Sequence, residues 1–217
     1  CLFVFFQFSF SQFPEGFETT VPPAGWTTFA GANGLGTSQN WQGSNISNSG
    51  AQSAYVRYEN VSGGLAQDWL VTPQFTPTSS TNLLTFMQRQ SYTTNYGSVY
   101  KVFISTGSQT THADFALVDT QIETDFTYYY TIKEIDLSAY IGIPIYVAFV
   151  LEQDDGDNWL IDDVALTSVF TCDPPTALTV SNFAQTTATV SWTASGSQTG
   201  YNLRLYAGVD DSTTPII

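Results

Sequence analysis

Short runs that alternate apolar and polar residues recur along this chain between polar turns, and they restrict its fold more than any other feature. The clearest are "SAYVRY" (53–58), "DWLVTPQF" (68–75), "TNLLTFMQ" (81–88), "SVYKVFIST" (98–106), "TYYYTIKEIDL" (127–137), "PIYVAFVLE" (144–152) and "NWLIDDVALTSV" (158–169). A period of two is that of a half-buried antiparallel strand. No window carries a capped 3.6-residue period, apart from a short turn expected at Leu137 to Ile141. The spacing predicts an all-β chain whose two sheets pack face to face, as in a jelly roll. Composition agrees: aromatics reach 15% and charged residues only 11%, which suits short strands joined by polar turns.

At 217 residues the chain exceeds one typical domain, since domains commonly run ~100–150 residues. Its texture changes at "TCDPPTALTVSNF", after which "TATVSWTA" (187–194) and "YNLRLYAG" (201–208) read as further strands. The stretch "PPTALTVSNFAQTTATVSWTASGSQTGYNLRLY" resembles the first half of a fibronectin type III domain, whose full module needs about 90–100 residues. The expected organisation is therefore a jelly-roll domain over 13–170 and the N-terminal half of a fibronectin type III β-sandwich over 171–217. The opening "CLFVFFQFSFSQ" reads as the apolar core and cleavage site of a secretory signal without its basic start. Lipidation of Cys1, an aromatic strand and a membrane span compete with that reading, but a span needs ~20 apolar residues. Residues 1–12 are expected to be a signal remnant, the mature chain to lack an integral membrane segment, and the protein to be secreted or displayed at the cell surface. Two cysteines, Cys1 and Cys172, provide no disulfide framework.

Charge is lopsided. Five Lys and Arg stand against nineteen Asp and Glu, a formal net charge of −14. Nucleic acid is excluded as an expected partner, because phosphate binding needs clustered bases. With so few internal cations, carboxylates must face water, accept hydrogen bonds or meet an external cation. "DDGDN" (154–158) lacks the spacing of an EF-hand loop and reads as a solvated turn of Asp154, Asp155 and Asp157. In "WLIDDVAL", alternation directs Trp159, Ile161 and Asp163 one way and Leu160, Asp162, Val164 and Leu166 the other. At least one acid then meets apolar neighbours, with no Lys or Arg between Lys133 and Arg204. Two readings stay open: acids that cap backbone amides at a strand end, or ligands of a hard, oxygen-seeking cation.

Together, "GFETTVPPAGWTTF", "DWLVTPQF", "YKVFISTG" with "KEIDLSAYIGIPIYVAFV", and "NWLIDDVAL" resemble the cleaved-adhesin, or choice-of-anchor J, family, which is similar to MAM domains. The resemblance spans about residues 13–169. It implies a jelly roll whose first and last strands lie side by side, bringing Glu18 to the acids of "IDDV". It also implies a structural calcium ion, with Glu18 and Asp163 as ligands, then Asp162 and Asp68.

Trp26, Trp69 and Trp159 read as packing residues. Trp41 in "TSQNWQGSN", with Tyr92 and Tyr96 in "SYTTNYGS", are the candidates for an exposed ligand-binding surface. His112 is the one histidine, and it sits in a loop-like stretch without a nearby partner in sequence. No nucleophile, zinc or phosphate-loop signature is present. The expected function is a non-enzymatic adhesion or binding module of a larger protein, whose partner is a host or extracellular protein or glycan. The alternative is a carbohydrate-binding accessory module of a secreted hydrolase, and a self-contained glycosidase is a weaker third.

Overall fold

The computed structural model describes residues 12–169 and 175–194. The signal-like start, Cys172 and the strand expected at 201–208 lie outside the described residues. The chain divides into two compact units, Cys1–Val169 and Phe170–Ile217.

The first unit is a sandwich of two five-stranded antiparallel sheets. One sheet runs in the order β1 (Thr27–Ala30), β4 (Ala66–Val71), β9 (Tyr146–Gln153), β6 (Val99–Ser105), β7 (Phe115–Ile122). The other runs β2 (Gln42–Ser44), β3 (Ser53–Val56), β10 (Trp159–Thr167), β5 (Leu83–Arg89), β8 (Thr131–Asp136). Among the described residues no α-helix occurs, and the turn expected near Leu137 is a single 3₁₀ turn at Ser138–Tyr140. No helix there is long and apolar enough to cross a membrane. All seven alternating runs contain a strand, whereas the short β1 and β2 and the edge strand β7 lie outside them.

The two inner faces meet in one aromatic core. Phe149 of β9 makes edge contacts with Phe86 of β5 at 5.0 Å and Trp159 of β10 at 6.2 Å between ring centroids. Tyr100 of β6 meets Trp159 at 5.4 Å, and Trp26 stacks on Phe149 at 6.3 Å. Edge-to-face pairs add to the area these rings bury. A smaller apolar cluster lies on the outer face of the first sheet, where Trp69, Val71, Ala148 and Val150 pack with Phe29, Phe103 and Phe115. His112 joins it, edge-on to Trp69 at 5.1 Å and hydrogen-bonded through Nε2 to the Ala30 carbonyl at 3.0 Å. That contact makes the lone histidine a packing residue.

Within the first unit, the expected pairing of the domain's first segment with its last strand is present. Glu15 and Val164 exchange two backbone hydrogen bonds, each 2.8 Å. In the second unit, β11 (Thr176–Ser181) and β12 (Thr189–Thr193) form an antiparallel pair, and β12 falls within the run expected at 187–194.

Because Phe149 is fully buried between the sheets, Phe149→Ala should cost about 3–5 kcal/mol, the usual range for emptying an aromatic core site. Urea unfolding should show a lowered midpoint at unchanged slope.

Candidate functional site

Strand β10 does not keep the alternation its sequence announces. Its register against β5 shifts between Asp162, opposite Met87, and Ala165, opposite Thr85, so one extra residue is accommodated as a β-bulge. Asp163 adopts φ +48° there, a conformation Asp tolerates better than most non-glycine residues. Val164 consequently joins Trp159 and Ile161 in the core. The expectation that Asp162 and Asp163 face opposite ways is corrected by this bulge, because both carboxylates turn to the same loop.

That loop is residues 45–52. Asp162, fully buried, accepts the backbone N–H of Asn48 at 2.7 Å and of Ser49 at 3.3 Å on Oδ2, and that of Asp163 at 2.8 Å on Oδ1. Asp163 accepts the Asn48 side-chain amide at 2.8 Å and the Ser49 hydroxyl at 2.6 Å. Glu18 accepts the Ala51 N–H on Oε2 at 2.9 Å, while Gln52 Nε2 donates to the Phe17 carbonyl at 2.6 Å. The Glu18 carboxylate packs against Gly50, where φ is +60°, a conformation that favours glycine, and where a Cβ would sit 2.0 Å from Oε1 and displace the Glu18 carboxylate. Glu18 Oε1 and Asp163 Oδ1 each lie 3.9 Å from the position a Cβ on Gly16 would take, hence within twice that distance of each other.

Glu15 completes the cluster, with Oε1 accepting the Phe17 N–H at 2.6 Å. Burial pushes its carboxyl upward; the Phe17 amide opposes this, while the charges of Asp162 and Glu18 add to it. Burial likewise raises Asp162 against the pull of its three amides. The two ion pairs among the described residues, Lys101–Glu152 at 2.6 Å and Lys133–Asp119 at 2.8 Å, both lie elsewhere.

An oxygen-seeking cation would find carboxylates, the Ser49 hydroxyl, loop carbonyls and, with its amide turned round, the Asn48 carbonyl oxygen. No group of three or more His, Cys, Asp or Glu side chains among the described residues is disposed to hold a metal ion unaided. Neutral oxygens would therefore have to complete the shell.

Asp68 does not join this cluster. It lies on β4 of the other sheet, 1% exposed, and the charge that acts on it is that of Glu59. Burial first, and Glu59 second, push Asp68 up to about 8, so at neutral pH it is largely the neutral acid. Asp68 Oδ2 and Glu59 Oε1 are buried without a hydrogen-bond partner.

Trp41 is also corrected: it is 3% exposed, packs on Trp159 at 5.7 Å and donates its indole N–H to the Asp68 carbonyl. Tyr92 and Tyr96 are exposed as expected, at 41% and 50%, with ring centroids 5.8 Å apart.

Asp157 is not the solvated turn residue the sequence suggested. Fully buried, it accepts the N–H groups of Ser91 at 3.0 Å, Tyr92 at 2.9 Å and Asn158 at 2.6 Å. Glu123, which the sequence reading did not single out, accepts those of Tyr96 at 2.5 Å and Ser98 at 2.8 Å. Loop 91–98 is thus pinned at both ends by buried carboxylates. Only Asp157's place beside the apolar "NWLI" hinted at this in the sequence.

No protein-family model matches the chain, and no curated protein does. Solved structures do match. The K3 cleaved adhesin domain of Lys-gingipain from Porphyromonas gingivalis superposes with a TM-score of 0.56 at 24% identity, over 71% of this chain and 97% of that one. The K1 domain of the same protein gives 0.55 at 22%, over 72% and 97%. A structure of carbohydrate-binding modules from the β-sandwich superfamily gives 0.50 at 13%, over 71% and 61%. At these identities the likeness is one of fold.

A carboxyl raised in the folded state stabilises it at low pH and loses that contribution as pH climbs toward the folded value. Asp68 should therefore make the protein less stable between about pH 4 and its folded value of about 8. Asp68→Asn should flatten this slope in urea unfolding measured across that range, and an unchanged slope would remove Asp68 as its source.

Proposed function

We propose that this chain is a non-enzymatic, extracellular adhesion or binding module within a larger protein, with calcium as a structural ion at the cluster of Glu18, Asp162 and Asp163. One observation carries the reading: the buried carboxylates Asp157, Asp162 and Glu123 are engaged by backbone amides of surface loops. Such a sandwich is a rigid frame that holds loops in set shapes, which is what recognition by loops requires. The cleaved-adhesin fold of its structural neighbours agrees with that use.

Calcium would tie the start of the domain to its last strand. Glu18 and Asp163 would supply charge, Asp162 would hold the Asn48–Ser49 backbone in place, and the loop would supply neutral oxygens. Its binding free energy would then be folding free energy. Exposed Tyr92 and Tyr96 favour the second reading, a carbohydrate-binding accessory module.

Calcium at a hundredfold excess over its dissociation constant stabilises by about 2.7 kcal/mol, a rise in Tm of roughly 5–10 °C for a domain of this size. Thermal unfolding with calcium and with chelator should show that rise, and Asp163→Ala and Glu18→Gln should each remove most of it. Beads coated with the full chain should adhere to host cells in calcium and detach in chelator. Equal midpoints in calcium and chelator would dismiss the ion.

A further inference from the structure

The tyrosine-bearing loop borders a cleft of about 270 Å³ lined by Gln90, Thr93, Thr94, Asn95, Thr124 and Tyr128, among others. The floor is built and rigid. Buried Gln90 donates through Nε2 to the Glu123 carbonyl at 3.0 Å and the Phe126 carbonyl at 2.9 Å. Glu123, the one charged residue in the lining, has both oxygens engaged by the Tyr96 and Ser98 amides. The walls present threonine hydroxyls and the Asn95 side chain, whose Oδ1 accepts the Gly97 N–H at 2.9 Å.

Tyr128 lines the cleft, and the exposed pair Tyr92 and Tyr96 sits on the loop that borders it. Tyr92 and Tyr96 bracket residues 93–95, and Tyr58 extends the row, 6.2 Å from Tyr92 with the Arg57 guanidinium 5.1 Å from its own ring centroid. Within the lining, Tyr128 packs on Tyr129 with centroids 4.2 Å apart. Tyrosine offers a rigid apolar face and a polar tip at small cost in conformational freedom.

We infer that this cleft is a binding site for a neutral glycan, packed on Tyr128 and extending along the loop that carries the exposed Tyr92–Tyr96 pair. The inference rests on the reading of the chain as a binding module and names the ligand class. A pyranose ring has apolar C–H faces that pack on aromatic rings, and a rim of hydroxyls that both donate and accept. Threonine and asparagine match that rim, because each also donates and accepts. The volume lies just under the ~300 Å³ at which pockets for drug-sized ligands begin, so about one sugar unit is enclosed and the rest of an oligosaccharide lies along the tyrosines. No Lys or Arg lines the cleft, and the chain's net charge of −14 opposes the approach of anions. Neutral sugars are therefore preferred over sialylated or sulfated ones.

The test is an array of neutral oligosaccharides with their sialylated and sulfated counterparts, probed with the full chain in calcium. Neutral glycans should bind, and Tyr92→Ala/Tyr96→Ala and Tyr128→Ala should each weaken the best of them about tenfold or more. Leu117→Ala, an exposed residue on β7, should leave binding unchanged. Thr94→Val provides a second variant that keeps every ring in place and should also weaken binding, and circular dichroism checks the fold of each. Binding that survives the tyrosine substitutions, binding confined to anionic glycans, or a silent array would each overturn the inference. A silent array with calcium-dependent adherence intact would overturn the glycan site alone and leave the binding-module reading standing.

Discussion

A buried carboxylate at the bulge of the sandwich's last strand, Asp162, holds a loop more than a hundred residues away in sequence by its backbone amides. The rest of the clasp depends on that contact. An ionised carboxylate removed from water must be met by donors or by a cation, and this chain has only five Lys and Arg to offer. The bulge in β10 resolves the problem by turning Asp162 and Asp163 together onto residues 48–49. The loop then receives Glu18 at Gly50 and Ala51, and Glu15 pairs with Val164 beside it. Three segments far apart in the chain are fastened at one place. Hydrogen bonds to charged groups contribute about 1.5–3 kcal/mol each, so removing the acid releases several at once.

The same device recurs at loop 91–98, where Asp157 and Glu123 hold the two ends. A strongly acidic composition therefore has a structural use here. Carboxylates that in a more balanced sequence would pair with lysine and arginine instead organise backbone amides, and one of the two loops they organise, 91–98, carries the exposed Tyr92 and Tyr96. This connects the charge of the sequence to a surface of fixed shape, and a fixed shape lowers the entropic cost of binding.

The sandwich was legible because a strand with one buried face writes a period of two into the sequence, and seven strands did so. β7 escaped because it is an edge strand with mostly exposed side chains, and β2 because three residues carry no period. The meeting of Glu18 with Asp162 and Asp163 was legible only through the family resemblance, since nothing local joins residue 18 to residue 163. The bulge was not legible at all: "IDDV" reads as alternation, and only pairing with β5 reveals the extra residue. Trp41 misled because its sequence neighbours are polar, while its burial comes from Trp159 and the Asp68 carbonyl. Asp68 misled in the opposite sense, as an acid that the resemblance put among the calcium ligands and that the fold turns inward toward Glu59.

The claim that a carboxylate clasp fastens the domain is tested most directly by native-state hydrogen exchange, read residue by residue by NMR in the wild type and in Asp162→Asn. The amides of Asn48, Glu15 and Val164 should exchange slowly and together in the wild type, and all three should speed up together in the variant. If the Asn48 amide exchanges freely in the wild type, or if the substitution leaves Glu15 and Val164 untouched, the clasp does not hold the domain.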